Sequence, residues 1–429
     1  NEVFMLKKND SNYYSMNDIS LAELADKYQT PLYVYSADQI RKNIQHLQSV
    51  LAKYFDSYRI QYAVKANTNP HVLKIVKETG IGADCSSPLE LRLAKQAGFP
   101  MDRSTYTGNY ESPEDFKRAV ESGVNLNLDD YHRITDLKEM GILPEFVSFR
   151  INPGIGRGGF EQIVTGGADA KFGFPYEETR KAYQTAIEAG VKRFGIHMMT
   201  GSNILEPFYF AEITQKIFTI IENSINDLGI ELEFINIGGG LGVPYTKEEE
   251  ALDLDQSFKM VSEVFKKNLP NLNIGNPEIA LEPGRYLVAN SGVLLSKVTH
   301  VKRSYRNYVG IDAGMSTLLR PAMYKAFHDV KMDGQEDFLS NEPSDHYRIC
   351  GQICENSDIH PLDRSFNQPK AGDLMLIENA GAYGFTMSSN YNNRVRPAEI
   401  LLDGSSEKVI RVRETEEDVL KNVPDFELK

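Results

Sequence analysis

From about residue 60 to 285 the chain alternates short β-prone runs with longer amphipathic stretches, and does so eight times. The runs are RIQYAVK, GIGADCS, STYTGN, VNLNLDD, FVSFRINP, RFGIHMMT, EFINIGGG and EIALEPGR. Between them lie helical patterns such as PHVLKIVKETG, PLELRLAKQAG, SPEDFKRAVESG and YEETRKAYQTAIEAG. Several begin with Pro or Ser and stop at Gly, as helices tend to. Eight strands, each followed by a helical crossover, is the count of a (β/α)8 barrel. The competing arrangement is an open doubly wound sheet, and the count favours the barrel.

After about residue 286 the rhythm changes. YLVANSGVLLSKVTHVKR, YRNYVGIDAG, HYRICGQIC, GDLMLIENAGAYG and AEILLDG…KVIRVRE read as strands without regular intervening helices. They predict a second, mostly antiparallel β domain, a sandwich or barrel, so that the whole is α/β plus β. The expected division is an N-terminal segment over 1–32, containing the amphipathic SLAELADKYQ and packing on the β domain, a (β/α)8 barrel over 33–285, and the β domain over 286–429. A chain of 429 residues has room for both.

Composition narrows the function. Hydrophobic residues at 41% and charged residues at 25% suit a soluble globular protein. The net charge of −13, without a Lys/Arg cluster, argues against nucleic-acid binding, which needs a basic face. No apolar run approaches membrane-spanning length. The opening NEVFMLKKNDSNYY lacks the charge-then-apolar order of a signal peptide. Three cysteines, Cys85, Cys350 and Cys354, do not make a disulfide framework, so a reducing, cytoplasmic setting is expected. Cys350 and Cys354 form a C-x3-C pair with no histidine or second pair to build a zinc site. The eight histidines are scattered without an H-x-H pair, which weighs against a metal-dependent hydrolase.

In a barrel, functional residues sit at the C-terminal ends of the strands. Polar and glycine-rich features concentrate there: Lys65, Asp84, Gly108 and Asn109, Arg150 and Asn152, His197 followed by TGSN, Gly238–Gly239–Gly240, and EPGR from Glu282 to Arg285. Strand alternation sends Ala63 and Lys65, Gly195 and His197, and Ala280 and Glu282 to the barrel interior. A lysine at the end of a core strand poses a problem, because lysine is rarely buried unless its charge is paired or consumed. Gly238 to Gly240 would let backbone N–H groups approach a phosphate, with Ser202 adding a hydroxyl. A phosphate site, an inward lysine and an acid for a ring nitrogen together suggest pyridoxal phosphate, held by the lysine amine as a Schiff base.

Nine ordered motifs carry a family resemblance: YAVKAN, RINPGIGRGG, TGGADAKFGF, GIHMMTGSN, NIGGGLGVPY, EPGRYLVANSG, DAGMSTLLRPAMY, GQICENSD and NAGAYGFTMSSNYNNRVRP. Over nearly its whole length the chain resembles the diaminopimelate decarboxylases of the alanine-racemase-like fold group, and the last five motifs point to the decarboxylase branch. The resemblance implies pyridoxal-phosphate-dependent conversion of meso-2,6-diaminopimelate to L-lysine and CO2. It gives Lys65 the covalent link to the cofactor, His197 a stacking position on its ring and Glu282 the ring nitrogen. Ser202, Gly238, Gly239, Gly240, Gly284, Arg285 and Tyr383 would hold the phosphate, with Asp84 also near the cofactor. Arg285, Arg320 and Tyr324 would bind the distal carboxylate. Cys354, as proton donor, and Glu355, as partner of the distal amine, would come from the second chain of a homodimer.

Glu282 speaks against a racemase, since an acid at the ring nitrogen makes a strong electron sink, whereas racemases of this fold typically place an arginine there. Intact Lys65, His197, Glu282 and Cys354 argue against a catalytically dead relative. Two stretches depart from the family. HMMTGSN has Met199 and Asn203 in place of a second His and a Gln, and SSPLE replaces Gly-Gly-Glu after the second strand. They keep open a decarboxylase of another carboxyl-bearing amino acid or of a carboxylated polyamine.

Overall fold

The computed structural model describes residues 6–154, 156–158, 166–167 and 169–424. Ile155 and Gly159 of RINPGIGRGG, Thr165 and Ala168 of TGGADAKFGF, and the extreme ends of the expected outer domains lie outside the described residues. The chain divides into two compact units. One comprises 41–244 and 250–287, the other 1–40, 245–249 and 288–429.

The first unit is the barrel. Its strands are β1 (Tyr58–Ala63), β2 (Gly82–Cys85), β3 (Thr105–Tyr106), β4 (Asn125–Leu128), β5 (Phe146–Asn152), β6 (Arg193–His197), β7 (Leu232–Asn236) and β8 (Glu278–Leu281). Each pairs in parallel with the next, and β8 pairs back with β1, which closes the sheet. The open-sheet alternative is thereby excluded. Local chemistry starts the surrounding helices where the sequence predicts. Asn69, Ser87 and Ser112 each accept a hydrogen bond from a first-turn amide, with proline following. The helix Pro70–Glu78 buries Val72, Leu73, Ile75 and Val76, each worth about 1.5–3 kcal/mol if fully withdrawn from water.

The interior is layered. Phe146, Phe234 and Ala280 pack together. Gly195 of β6 belongs to this layer, because a Cβ there would lie 2.8 Å from the Phe234 ring and 3.1 Å from that of Phe146. Toward the C-terminal ends of the strands the interior turns polar. Gln61 donates to Thr105 Oγ1 at 2.7 Å, and Ser148 donates to Asn127 Oδ1 at 2.7 Å. Buried polar groups must be satisfied, and this layer carries the site above it.

The second unit is built on a nine-stranded, mostly antiparallel sheet. Its longest strand, Gly292–Arg303, pairs with Asn307–Ile311, Leu374–Ile377 and Leu32–Ser36, all antiparallel. Leu32–Ser36 also pairs in parallel with Ala398–Asp403. This corrects the expected boundary at residue 33. LYVYS is buried at every position and paired on both edges, so it is a central strand of the β unit. Met16, Leu21, Leu24 and Ala25 of the N-terminal segment share a core with Leu32, Val34, Val293, Leu295, Leu376 and Ile400. Among the described residues no helix is long and apolar enough to cross a membrane, and no cluster of His, Cys, Asp and Glu could hold a metal ion.

Candidate active site

Strand β1 stops two residues short of its expected end at Lys65. It ends at Ala63, and Val64–Ala66 form a 3-10 turn. The Ala63 N–H donates to the Pro283 carbonyl at 3.1 Å, which ties this turn to the EPGR loop. The turn lifts Lys65 out of strand alternation, and its side chain is 48% exposed. The burial conflict expected from a strand position therefore does not arise. The lysine Nζ lies 3.4 Å from Asp84 Oδ2 at the end of β2.

Asp84 is itself buried. Burial first, and the nearby charge of Glu282 second, push its carboxyl up to about 7, with Lys65 pulling the other way. Its Oδ1 has no hydrogen-bond partner among the described residues. A stability prediction follows from the sign of this shift. Below its ordinary value of 3.8 the group is protonated in both folded and unfolded chains. As pH rises from there to about 7, only the unfolded chain releases the proton, and the handicap of the folded state grows; above 7 it is complete. Asp84→Asn is expected to raise the melting temperature of the cofactor-free protein by about 2–5 °C at pH 8 and to leave it unchanged near pH 4. Equal melting at both pH values would show that Lys65 fully offsets the buried charge.

Glu282, just past β8, is held on both oxygens. His197 Nε2 lies 2.9 Å from Oε2, and Asn236 Nδ2 donates to Oε1 at 2.8 Å. Burial raises the Glu282 carboxyl, but His197, Lys65 and Arg150 together outweigh it and keep the group below its usual range. It is thus a fixed carboxylate, with lone pairs left to accept from a ring N–H. Arg150, buried at the end of β5, contributes positive charge and lies 4.4 Å over the Phe172 ring. The other strand-end residue of β5, Asn152, is engaged with the Gly167 backbone. The resemblance gives His197 a place on the cofactor ring. In the structure its edge braces Glu282, and its Nδ1 is buried without a partner among the described residues.

The glycine run is shaped by crowding as well as by any anion. Gly238 and Gly240 have φ of 77° and 91°, and a Cβ on Gly239 would collide with the Glu282 carbonyl. Asn236 links the two features: its Oδ1 accepts from Gly238 N at 2.8 Å while its amide holds Glu282. Sequence reasoning missed Asn236, although strand parity places it inward beside His197 and Glu282. Ser202 Oγ accepts from Arg285 Nη2 at 3.3 Å, so the two phosphate candidates of the barrel unit lie together. Gly284 is buried at the start of the short helix Arg285–Val288, its carbonyl accepting from Leu287 N.

Both departures have physical accounts. Met199 Sδ accepts from Gly239 N at 3.1 Å, and Asn203, at φ 56°, accepts from Val243 N at 3.0 Å. A short amide side chain is among those that tolerate this left-handed backbone. In SSPLE, Ser87 caps the helix Pro88–Ala97 and Glu90 accepts from Ser86 N at 2.7 Å.

The β unit holds the remaining candidates. Arg320 is buried and opens the helix Arg320–Tyr324; Tyr324 and Tyr383 are half-buried. Cys354 and Glu355 lie on an exposed loop, where Cys354 N donates to Asn392 Oδ1 at 2.6 Å and Glu355 Oε1 accepts from Ser357 N at 3.2 Å. Asp358 anchors this loop by accepting from Ile353 N and Met315 N.

A reactive amine at a barrel mouth, a fixed carboxylate to face a ring nitrogen and a glycine turn beside Ser202 and Arg285 fit pyridoxal phosphate. The orphaned, buried Asp84 Oδ1 and His197 Nδ1 add polar atoms at the same mouth. This is the layout of a barrel-type pyridoxal-phosphate enzyme. Residues 37–289 match the family described as pyridoxal-dependent decarboxylase, pyridoxal binding domain. The chain is 40% identical over 421 residues to the diaminopimelate decarboxylase of Methanothermobacter thermautotrophicus, covering 98% of both chains. It is 36% identical over 412 residues to that of Archaeoglobus fulgidus, covering 95% of this chain and 96% of the other. A crystal structure of diaminopimelate decarboxylase from M. jannaschii in co-complex with L-lysine superposes with a TM-score of 0.88 at 31% identity, covering 98% of each chain. The chain belongs to the diaminopimelate decarboxylase family of pyridoxal-dependent decarboxylases. Its cofactor is pyridoxal phosphate.

Proposed function

We infer that the protein decarboxylates meso-2,6-diaminopimelate to L-lysine and CO2, the closing step of lysine formation. The observation that carries the reaction type is Glu282, a carboxylate fixed by His197 and Asn236 at the mouth that also holds Lys65. Pyridoxal phosphate, when bound, supplies the electron sink for the charge left at Cα as CO2 departs. Glu282 favours a protonated ring nitrogen and so deepens that sink. Lys65 anchors the cofactor, gives way to the substrate amine, and is then an amine able to carry a proton. Asp84 lies within reach of that amine and, with its carboxyl near 7, can exchange a proton with it. Ser202, Arg285 and the Gly240 amide hold the phosphate, the Gly238 and Gly239 amides being engaged by Asn236 and Met199.

Arg320 carries the substrate choice, with Tyr324 of the same helix. The carboxylate at the non-reacting end of diaminopimelate needs a planar, bidentate cation, and ornithine or lysine offered as substrates have none at that end. The protein acts as a cytoplasmic homodimer, in which Cys354 and Glu355 are supplied by the second copy. Cys354 delivers the proton that replaces CO2, and Glu355 pairs with the distal amine.

The test is CO2 release from meso-diaminopimelate, lysine, ornithine and a carboxylated polyamine. Turnover of diaminopimelate alone is expected, and Arg320→Met is expected to raise its KM about 100-fold. Turnover of only ornithine or lysine would remove the role given to Arg320. Preference for the carboxylated polyamine would establish the other reading.

A further inference from the structure

The Arg320 guanidinium sits in an aromatic frame inside the β unit. Its Nη1 is 2.7 Å from His328 Nε2, and its Cζ lies 4.4 Å over the Tyr245 ring. The two aromatic rings meet edge to face, with centroids 5.1 Å apart and planes at 74°. His328 is fully buried, and its Nδ1 is 2.8 Å from the Glu378 carbonyl. The chemistry of these partners fixes the tautomer. A carbonyl can only accept, so the hydrogen is on Nδ1; a guanidinium can only donate, so Nε2 offers its lone pair. The imidazole is therefore a neutral acceptor. The His328 backbone carbonyl accepts in turn from Arg364 Nη2 at 3.3 Å, which fixes the segment.

We propose that His328 is a positioning residue for the distal carboxylate of the substrate, setting Arg320 as a carboxylate-binding fork together with Tyr245. The proposal rests on the role given to Arg320 above. The Tyr245 face fixes the plane of the guanidinium, and the His328 acceptor fixes its rotation within that plane. A neutral imidazole does this without bringing a countercharge of its own. A carboxylate in its place would orient the arginine and discharge it in the same contact. Such preorganisation acts on binding of the distal end and leaves the reacting carbon alone.

The experiment uses the holoenzyme and two product-like inhibitors. L-lysine carries the distal carboxylate, and cadaverine is the same molecule without it. His328→Phe keeps a buried ring and removes the acceptor. His328→Leu removes it without added bulk, should the phenyl ring not be accommodated. Either variant is expected to raise KM for diaminopimelate and the inhibition constant of L-lysine about tenfold, with kcat changed less than about threefold. The inhibition constant of cadaverine stays within about twofold of wild type. His328→Gln, which can again accept from Arg320, restores most of the loss. Equal weakening of lysine and cadaverine, or unchanged constants beside an Arg320→Met variant that does raise KM, overturns the positioning role. An Arg320→Met variant with unchanged KM overturns the assignment of Arg320 itself, and the proposal with it.

Discussion

Lys65→Ala is expected to lower kcat for diaminopimelate by about 10³–10⁴-fold, the scale of losing a group that both anchors the reacting partner and moves a proton. The variant also loses the covalent link. Borohydride reduction of the wild-type holoenzyme should leave the cofactor on the peptide that contains Lys65, and the same treatment of the variant should leave none. Folding should survive, because the side chain is half-exposed. A variant that retained the visible cofactor band and full turnover would remove Lys65 from the centre of the mechanism.

Glu282→Gln is expected to lower kcat by about 10²–10³-fold, as removal of a preorganised charge from a dry site does. KM and bound cofactor should change little. The isostere can be seated. Asn236 still donates to the amide oxygen, and the amide N–H can donate to His197 Nε2 if the imidazole shifts its hydrogen to Nδ1. The substitution therefore isolates charge from shape. Full turnover would mean that the carboxylate does not hold the ring nitrogen protonated, and the preference for decarboxylation over racemisation would lose its basis.

Much of the barrel was legible because its signals are local. Strand parity, proline and serine at helix starts, and glycine at helix ends all act within a few residues, and all eight runs became strands. Parity also located His197 and Glu282, which the fold brings to 2.9 Å. Lys65 was placed on the right mouth for a partly wrong reason, since alternation cannot anticipate that the chain leaves β1 in a 3-10 turn at Val64. Asn236 and His328 were missed because neither belongs to a distinctive spacing. Their chemistry exists only in partners 46 and 8 residues away, brought together by the barrel sheet in the first case and by the turn after the helix Arg320–Tyr324 in the second. The first boundary was missed for a related reason. Nothing in LYVYS says which of two sheets it will join, and its partners lie some 260 to 370 positions later in the chain.

That late pairing orders the protein's synthesis. Leu32 leaves the ribosome some 366 residues before its partner Ala398. Along the chain the barrel unit falls between two parts of the β unit, whose first central strand must wait, both edges unpaired, while the barrel is completed. An unpaired apolar strand is a template for the wrong partner. A fragment ending at residue 287 would leave LYVYS in that state permanently, so the barrel alone is better cut out from residue 41 than made by truncating the C-terminus.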